Sequence, residues 1–295
     1  MPREKTVQYC RFCKSTKIRF VLERGEVLIF RCLDCGIVFL GNQLDEAAIK
    51  GLYKYYSSTG FSNYLSPVTR LRYEKLLDGF EKYRKNNRLM DVGCGAGYFM
   101  LSASKRGWQA EGTEISDEAV RLAEEKGQRV FKDNITSLDL GKDRYDVATL
   151  FELLEHASNP EEIIKKLSHI LRPSGALYIT TPNYNCLTRR LLGSRWSWFH
   201  KEHQFYFTTK TLRALLKKYG FKIKKIQAEN LSLIEISKIF NKNRPFDFAE
   251  SYKKQEEVRS LAENKFFFAL MKRFANFILN MFGMGDTIYI LAVRS

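Results

Sequence analysis

Cys10, Cys13, Cys32 and Cys35 form two C-x-x-C pairs within "CRFCKSTKIRFVLERGEVLIFRCLDC". Each pair offers two thiolates from one tight turn. Between them lie alternating runs, Lys17 to Leu22 and Val27 to Arg31, around Gly25, which read as a hairpin that brings the turns together. Four sulfurs at the corners of a tetrahedron suit zinc, and with every position filled by protein the ion would hold structure and not do catalysis. Vestigial cysteines and redox chemistry are the competing readings.

A second group lies in "LMDVGCGAGYFM". Gly93, Gly95 and Gly97 follow a short apolar run and open a helix, the place where a doubly wound sheet binds a nucleotide. The spacing is neither the dinucleotide G-x-G-x-x-G nor a phosphate loop, which needs Lys-Ser/Thr. Asp91, just ahead of the turn, would repel a pyrophosphate but attract an ammonium group. Glu114, at the end of the next strand, can accept both hydroxyls of a ribose. The ligand therefore reads as a nucleoside carrying an amino acid. Glycines kept only for close packing are the plainer alternative. Cys94, inside this run, reads as a small buried residue and not a nucleophile.

The third group is the four histidines, His156, His169, His200 and His203. His169 falls in an amphipathic helix and reads as structural. His200 and His203 sit in "WSWFHKEHQFYFT", between a strand and a helix. Imidazole is the side chain best suited to proton transfer near neutral pH. Two roles stay open for His203: a base, or a ring that only hydrogen-bonds the pocket backbone.

These groups need elements to hold them. From Leu89 onward strands and helices alternate: strand 89–92, helix 97–106, strand 108–114, a helix capped by Ser116 and running to Lys126, strands 129–131 and 145–151, a helix from Pro160 to Leu171, and strand 175–180. That alternation predicts an α/β fold, a parallel doubly wound sheet. A helix from Thr208 to Gly220, a strand 221–228 and an apolar strand 287–293 follow. Gln43 to Tyr56 and Pro67 to Lys85 have helical spacing, with Leu71, Leu76, Leu77 and Phe80 placed on one face. Tyr53, Tyr55 and Tyr56 suit core packing better than a ligand mouth. The organisation expected is a ribbon over 1–42, a helical linker over 43–88 and a main domain over 89–295, with a helical insertion at about 230–285.

Of 295 residues, 49 are basic and 33 acidic, a net charge of +16. Residues 89–180 hold 11 basic and 15 acidic side chains, whereas 189–229 hold 11 and 2. The excess is therefore local and suits an anionic partner, although a solvated lysine-rich face explains it as simply. No apolar run reaches bilayer-spanning length, and "MPREKTVQYC" has no signal-peptide character. A cytoplasmic, reducing location is expected, where cysteines serve as metal ligands or free thiols.

With these motifs in order, the chain resembles the class I S-adenosylmethionine-dependent methyltransferases over about Pro67 to Gly220 plus the final strands. "DVGCGAG" matches their first motif, which implies that Asp91, Gly93, Gly95 and Gly97 hold the methionyl end. Glu114 would bind the ribose, with Ile115 beside the adenine. "KDNI" places Asp133 on the adenine amino group, bordered by Asn134 and Ile135. "FELLEHASNP" places Phe151, Glu152 and His156 near the cofactor, while Glu155 reads as a solvated helix carboxylate. "LRPSGALYITTPN" matches the fifth-strand block. "EHQFYF" resembles a Glu-His-x-x-Tyr-Phe segment of sugar C-methyltransferases that also carry an N-terminal zinc module. By that resemblance His203 would be the base and Tyr206 its assistant.

The layout as a whole resembles bacterial methyltransferases of surface-polysaccharide and sugar biosynthesis. The leading expectation is methyl transfer to a saccharide or related small molecule, possibly nucleotide- or lipid-linked. An RNA methyltransferase and a non-catalytic cofactor-binding module are the alternatives. An Asn/Asp-Pro-Pro-aromatic motif is missing after the fourth strand, where "FELL" stands, which lowers the nucleic-acid reading. In the insertion, Phe266, Phe267, Leu270, Phe274, Phe277, Ile278 and Met281 recur at three- and four-residue steps beside Lys265, Lys272 and Arg273. Packing on the core or on a second subunit is the first reading of that face, and peripheral contact with the inner membrane surface the second.

Overall fold

The computed structural model describes residues 7–42, 65–232, 235–237 and 266–295, the last stretch by its backbone alone up to 272. The expected helix 43–56 with its three tyrosines, and the side chains of residues 265–272, lie outside the described residues.

Near the N-terminus β1 (Ile18–Arg24) and β2 (Val27–Cys32) form the expected antiparallel hairpin, turned at Gly25 with φ +57°. Two further strands extend it. β3 (Val38–Leu40) pairs with β2, and β9 (Phe205–Tyr206), from 165 residues further along, pairs with β3, giving the order β1-β2-β3-β9. The contact is a shared core as well as a ladder. Val27, Ile29, Val38 and Leu40 pack with Tyr184, Cys186, Leu192, Trp196, Phe199 and Tyr206.

The main sheet has the order β10-β11-β8-β7-β4-β5-β6. β4 (Arg88–Val92), β5 (Gln109–Thr113), β6 (Arg129–Phe131), β7 (Tyr145–Phe151) and β8 (Leu171–Pro182) are parallel, joined by α2 (Tyr98–Lys105), α3 (Asp117–Glu124) and α4 (Pro160–Ile170). Their residues follow the rules for buried parallel strands: β7 is an unbroken run, YDVATLF, with six of its seven side chains buried. Ser116 caps α3 and Asn159 caps α4, each accepting from the backbone three residues on. The strands of 88–182 are parallel as expected, and the two strands read after them complete the sheet at one end. β11 (Thr287–Arg294) lies antiparallel between β8 and β10 (Phe221–Glu229). An antiparallel strand needs no crossover helix, so the closing strand slots between two placed neighbours.

α1 (Pro67–Phe80) starts at Ser66, whose side chain accepts from Thr69 N, and ends in a single 3-10 turn short of Lys85. Leu77 and Phe80 are buried, but Leu71 is 49% exposed, contrary to expectation. At about 100° per residue, positions 71 and 80 point to opposite sides of a helix. α5 (Leu187–Leu192) and α6 (Thr209–Lys218) complete the region between β8 and β10. α7 (Phe266–Met281) is held to β10 by two asparagines one turn apart. Asn280 Oδ1 accepts from Ala228 N at 2.9 Å and Asn276 Oδ1 from Asn230 N at 3.0 Å.

Candidate functional site

The glycine loop follows β4, and its shape depends on glycine. Gly93, Gly95 and Gly97 all have positive φ, +71°, +51° and +75°. A Cβ on Gly97 would stand 2.9 Å from Ala123 Cβ, and one on Gly93 2.7 Å from Leu153 Cδ1. Gly93 N and Cys94 N both donate to Thr113 O, which ties the loop to the end of β5. Cys94 is buried, as expected.

Two carboxylates flank this bare backbone. Asp91 is 1% exposed and accepts from Thr149 Oγ1 at 2.7 Å. Burial pushes its carboxyl up to about 7; the Thr149 hydrogen bond opposes this and the nearby Glu114 adds to it. Glu114 Oε2 accepts from Gly95 N at 3.1 Å, while Oε1 accepts from Ile115 N and Ser116 N at 2.7 and 2.9 Å. The acid thus sits on the loop, with both oxygens on backbone donors. A nucleoside carrying a cationic amino acid fits this donor set: a left-handed backbone that bare, a buried acid under it and a second acid at the next strand end.

The remaining residues singled out for the cofactor divide. Ile115 is half-buried beside Glu114. Asp133 is exposed after β6 and accepts from Asn134 N at 2.7 Å, and Asn134 Oδ1 accepts from Thr136. Ile135 turns into the core at 1% exposure. Phe151 ends β7 against Tyr73, Phe99 and Tyr178. Glu152 is exposed and has φ +48°, a conformation costly for a residue with a side chain. Its N–H is anchored on Thr180 O at 3.0 Å.

Beyond β7 the chain turns back, and Glu155 does not take the solvated position expected of it. Residues 154–156 form a turn and not a helix, and Glu155 is 1% exposed. Its backbone oxygen accepts from Gln204 N and Phe205 N at 2.8 and 3.1 Å, and its Oε2 from Thr181 Oγ1 at 2.9 Å. Those bonds draw the turn against the segment before β9. Three of the four histidines meet there. The His203 ring is 4.6 Å from that of His156 and 3.9 Å from that of His200, centroid to centroid. Trp198 stacks on His203 at 5.5 Å. Burial, with the neighbouring imidazoles, holds His203 well below its ordinary range and His200 at about 3; burial holds His156 at about 4. Each of the three rings therefore favours its uncharged form. Tyr206 is buried, and its hydroxyl donates to His200 O at 3.4 Å. His169 lies apart, exposed on α4.

The four cysteines converge from the two turns of the ribbon. Cys10 and Cys35 Sγ are 3.7 Å apart, Cys13 and Cys32 3.5 Å, and all four lie within 4.8 Å of one another. Thiolates about 2.3 Å from one tetrahedral ion stand about 3.8 Å apart, so the donor set and its spacing fit zinc.

Thr149, Trp198 and the buried Glu155 are the site residues that sequence reasoning missed. Thr149 sits mid-strand with no motif to mark it, and Glu155 differs from a solvated acid only through contacts made by residues 181, 204 and 205.

A family model described as a methyltransferase domain matches residues 67–226. Ubiquinone biosynthesis O-methyltransferase of Nitrosomonas europaea is 34% identical over 104 residues, covering 33% of this chain and 44% of that protein. The chain thus matches less than half the length of these curated relatives. Phosphoethanolamine N-methyltransferase 2 of Haemonchus contortus, solved with S-adenosyl-L-methionine, aligns with 92% of this chain and 70% of that one at a TM-score of 0.55 and 15% identity. The [4+2]-cyclase SpnF aligns over 85% and 97% at a TM-score of 0.57 and 16% identity. At such identities the likeness is one of fold.

Proposed function

We propose that this chain, which belongs to the methyltransferase-domain family, binds S-adenosylmethionine at the glycine loop and moves its methyl group to a hydroxyl of a small molecule, a saccharide in the finer reading. The observation that carries it is the pairing of a left-handed glycine backbone with buried Asp91 and loop-bound Glu114 at adjoining strand ends. When bound, S-adenosylmethionine supplies an electrophilic methyl carbon on a sulfonium.

The chain's residues do the rest. Ionised Asp91 pairs with the ammonium group. Glu114 exchanges backbone donors for the two ribose hydroxyls, and Gly93, Gly95 and Gly97 let the main chain approach. Ile115, Asp133, Asn134 and Ile135 border the adenine, and Phe151, Glu152 and His156 border the side where donor and acceptor meet.

A hydroxyl must lose its proton as the methyl arrives, and the three neutral imidazoles are the groups placed to manage it. His203 is central to them. Tyr206, with its hydroxyl committed to the His200 carbonyl, orients the segment. The "EHQFYF" resemblance and the four-cysteine ribbon support the saccharide; the O-methyltransferase names among the relatives support oxygen as acceptor atom. The basic stretch 189–229 suits an acceptor carrying phosphate or another anion. Zinc at Cys10, Cys13, Cys32 and Cys35 is structural in this reading, supported by the sulfur spacing.

Calorimetric titration with S-adenosylmethionine and its demethylated product tests the reading. Asp91→Ala and Glu114→Ala should each weaken binding by about 1–3 kcal/mol, the loss of hydrogen bonds to a polar or charged ligand group. Unchanged affinity in both variants would remove the cofactor assignment.

A further inference from the structure

We propose that Glu155, His156 and His203 bind a divalent first-row transition ion, a second metal site distinct from the four cysteines. The three residues each offer one ligand atom, and these atoms lie within 4.8 Å of one another. Ligands at about 2.1 Å from one ion stand about 3.4 Å apart, a contraction that rotation of these side chains supplies. One carboxylate and two imidazoles are a donor set suited to zinc, iron(II), manganese or cobalt, and three protein ligands leave coordination positions open.

Two further observations point the same way. Glu155 Oε1 and His203 Nδ1 have no hydrogen-bond partner although both residues are 1% exposed. Buried polar atoms are almost always satisfied, so unpartnered atoms on two residues whose ligand atoms converge call for a ligand. The other atoms of the same groups are already fixed. Thr181 Oγ1 donates to Glu155 Oε2 at 2.9 Å, and the His203 ring is hydrogen-bonded to the Trp198 backbone. With Nδ1 unpartnered, that bond belongs to Nε2 and leaves the Nδ1 lone pair unused. Metal-binding histidines are typically oriented in this way by a backbone carbonyl on the far nitrogen. The His156 ring is likewise hydrogen-bonded to the Glu202 backbone. The main chain holds the set together, since Gln204 N and Phe205 N both donate to Glu155 O.

The site follows β7, and the glycine loop follows its neighbour β4 at the same edge of the sheet. His156 is the partly exposed member of the set. Resting on the methyl-transfer reading for this point alone, the open positions would take the acceptor's hydroxyl oxygen and ease loss of its proton, so that His203 would manage that proton by holding the ion that acidifies the hydroxyl and not by accepting it. The ligand itself is a divalent cation.

The test uses the full chain, stripped with a chelator and titrated with cobalt(II) in the absence of cofactor and acceptor. Wild-type protein should take up a second equivalent beyond the cysteine-bound one. Thiolate charge-transfer bands mark the first ion, and weaker d–d bands without charge transfer mark the second. Glu155→Gln and His156→Ala should each weaken the second equivalent by more than about tenfold while the thiolate bands persist and report a folded ribbon. Uptake that stops at the cysteine-bound ion in wild-type protein overturns the proposal without recourse to any variant. So does a second equivalent that survives both substitutions. Cofactor titration of the stripped protein is independent of this, so failure of the metal leaves the methyltransferase reading to its own test.

Discussion

Asp91 shows how one buried side chain sets the behaviour of the cofactor site. Its carboxyl is pushed up to about 7 by burial, against the single donor Thr149. Below that pH the ligand-free protein holds a proton there, which must leave before the carboxylate can pair with an ammonium group. Affinity for S-adenosylmethionine should therefore be greatest above about pH 7 and fall by up to about tenfold per pH unit below it. Asp91→Asn should bind weakly and lose the dependence. Calorimetry across buffers of different ionisation enthalpy checks this directly, since proton release on binding should appear near neutral pH in the wild type alone. In the proposed reaction His203 would act on the other half, the acceptor's proton. His203→Asn should lower single-turnover methyl transfer by about 10²–10⁴-fold, the worth of a positioned group that manages the proton. Cofactor affinity should stay nearly intact. Normal transfer by that variant would mean an acceptor that arrives already deprotonated, such as a free amine.

At the scale of elements, the ribbon and the histidine segment are one structure. β3 pairs with β9 directly after His203, Leu40 N donates to Gln204 O at 2.9 Å, and Arg24 Nη1 donates to Trp196 O at 2.7 Å. An ion at the cysteines would tie the two ribbon turns together and so hold β3 in place for β9. Cys32→Ser, which removes a ligand at the end of β2, should lower turnover well before it lowers cofactor affinity, because the glycine loop hangs from β4 and β5. Equal losses of both, measured by transfer assay and calorimetry on the same preparation, would show instead that the ribbon supports the whole fold. None of this pairing is legible in the sequence. The hairpin, the glycine turn and the capped helices are local, and periodicity, Gly25, Gly97, Ser116 and Pro160 announce them. β3 and β9 are three and two residues long and gain their structure from the strands they pair with, β3 from β2 and β9 from β3. The same holds for Glu155, whose neighbours in sequence read as a helix, and for β11, whose direction depends on the strands already beside it.

For the whole molecule, charge and apolar surface sit on neighbouring pieces. Lys222, Lys224 and Lys225 are on β10, the edge strand of the main sheet, where lysines keep a second chain from adding on. Part of the local positive charge thus has a role that needs no anionic partner. The face of α7 away from β10 is different. Asn276, Leu279 and Asn280 dock the helix, while Phe274, Phe277 and Met281 are each more than 60% exposed among the described residues. Of the two partners in the first reading, the core does not cover these three side chains among the described residues, and a second subunit stays an expectation. In the second reading, peripheral contact with a membrane, the exposed phenylalanines would enter the surface of an anionic bilayer, where a lipid-linked acceptor would be found. The helices described include none long and apolar enough to cross a membrane. The protein should co-sediment with vesicles containing an anionic lipid and much less with neutral ones, with binding that weakens as salt rises. Phe274→Ser combined with Phe277→Ser should reduce binding at low salt, where charge alone still operates, and should leave the melting temperature nearly unchanged because both side chains are exposed. Binding that responds to salt but not to these substitutions would assign the effect to the lysines alone. In that case the apolar row would be tested next as a contact between two copies, by the mass of the protein in solution.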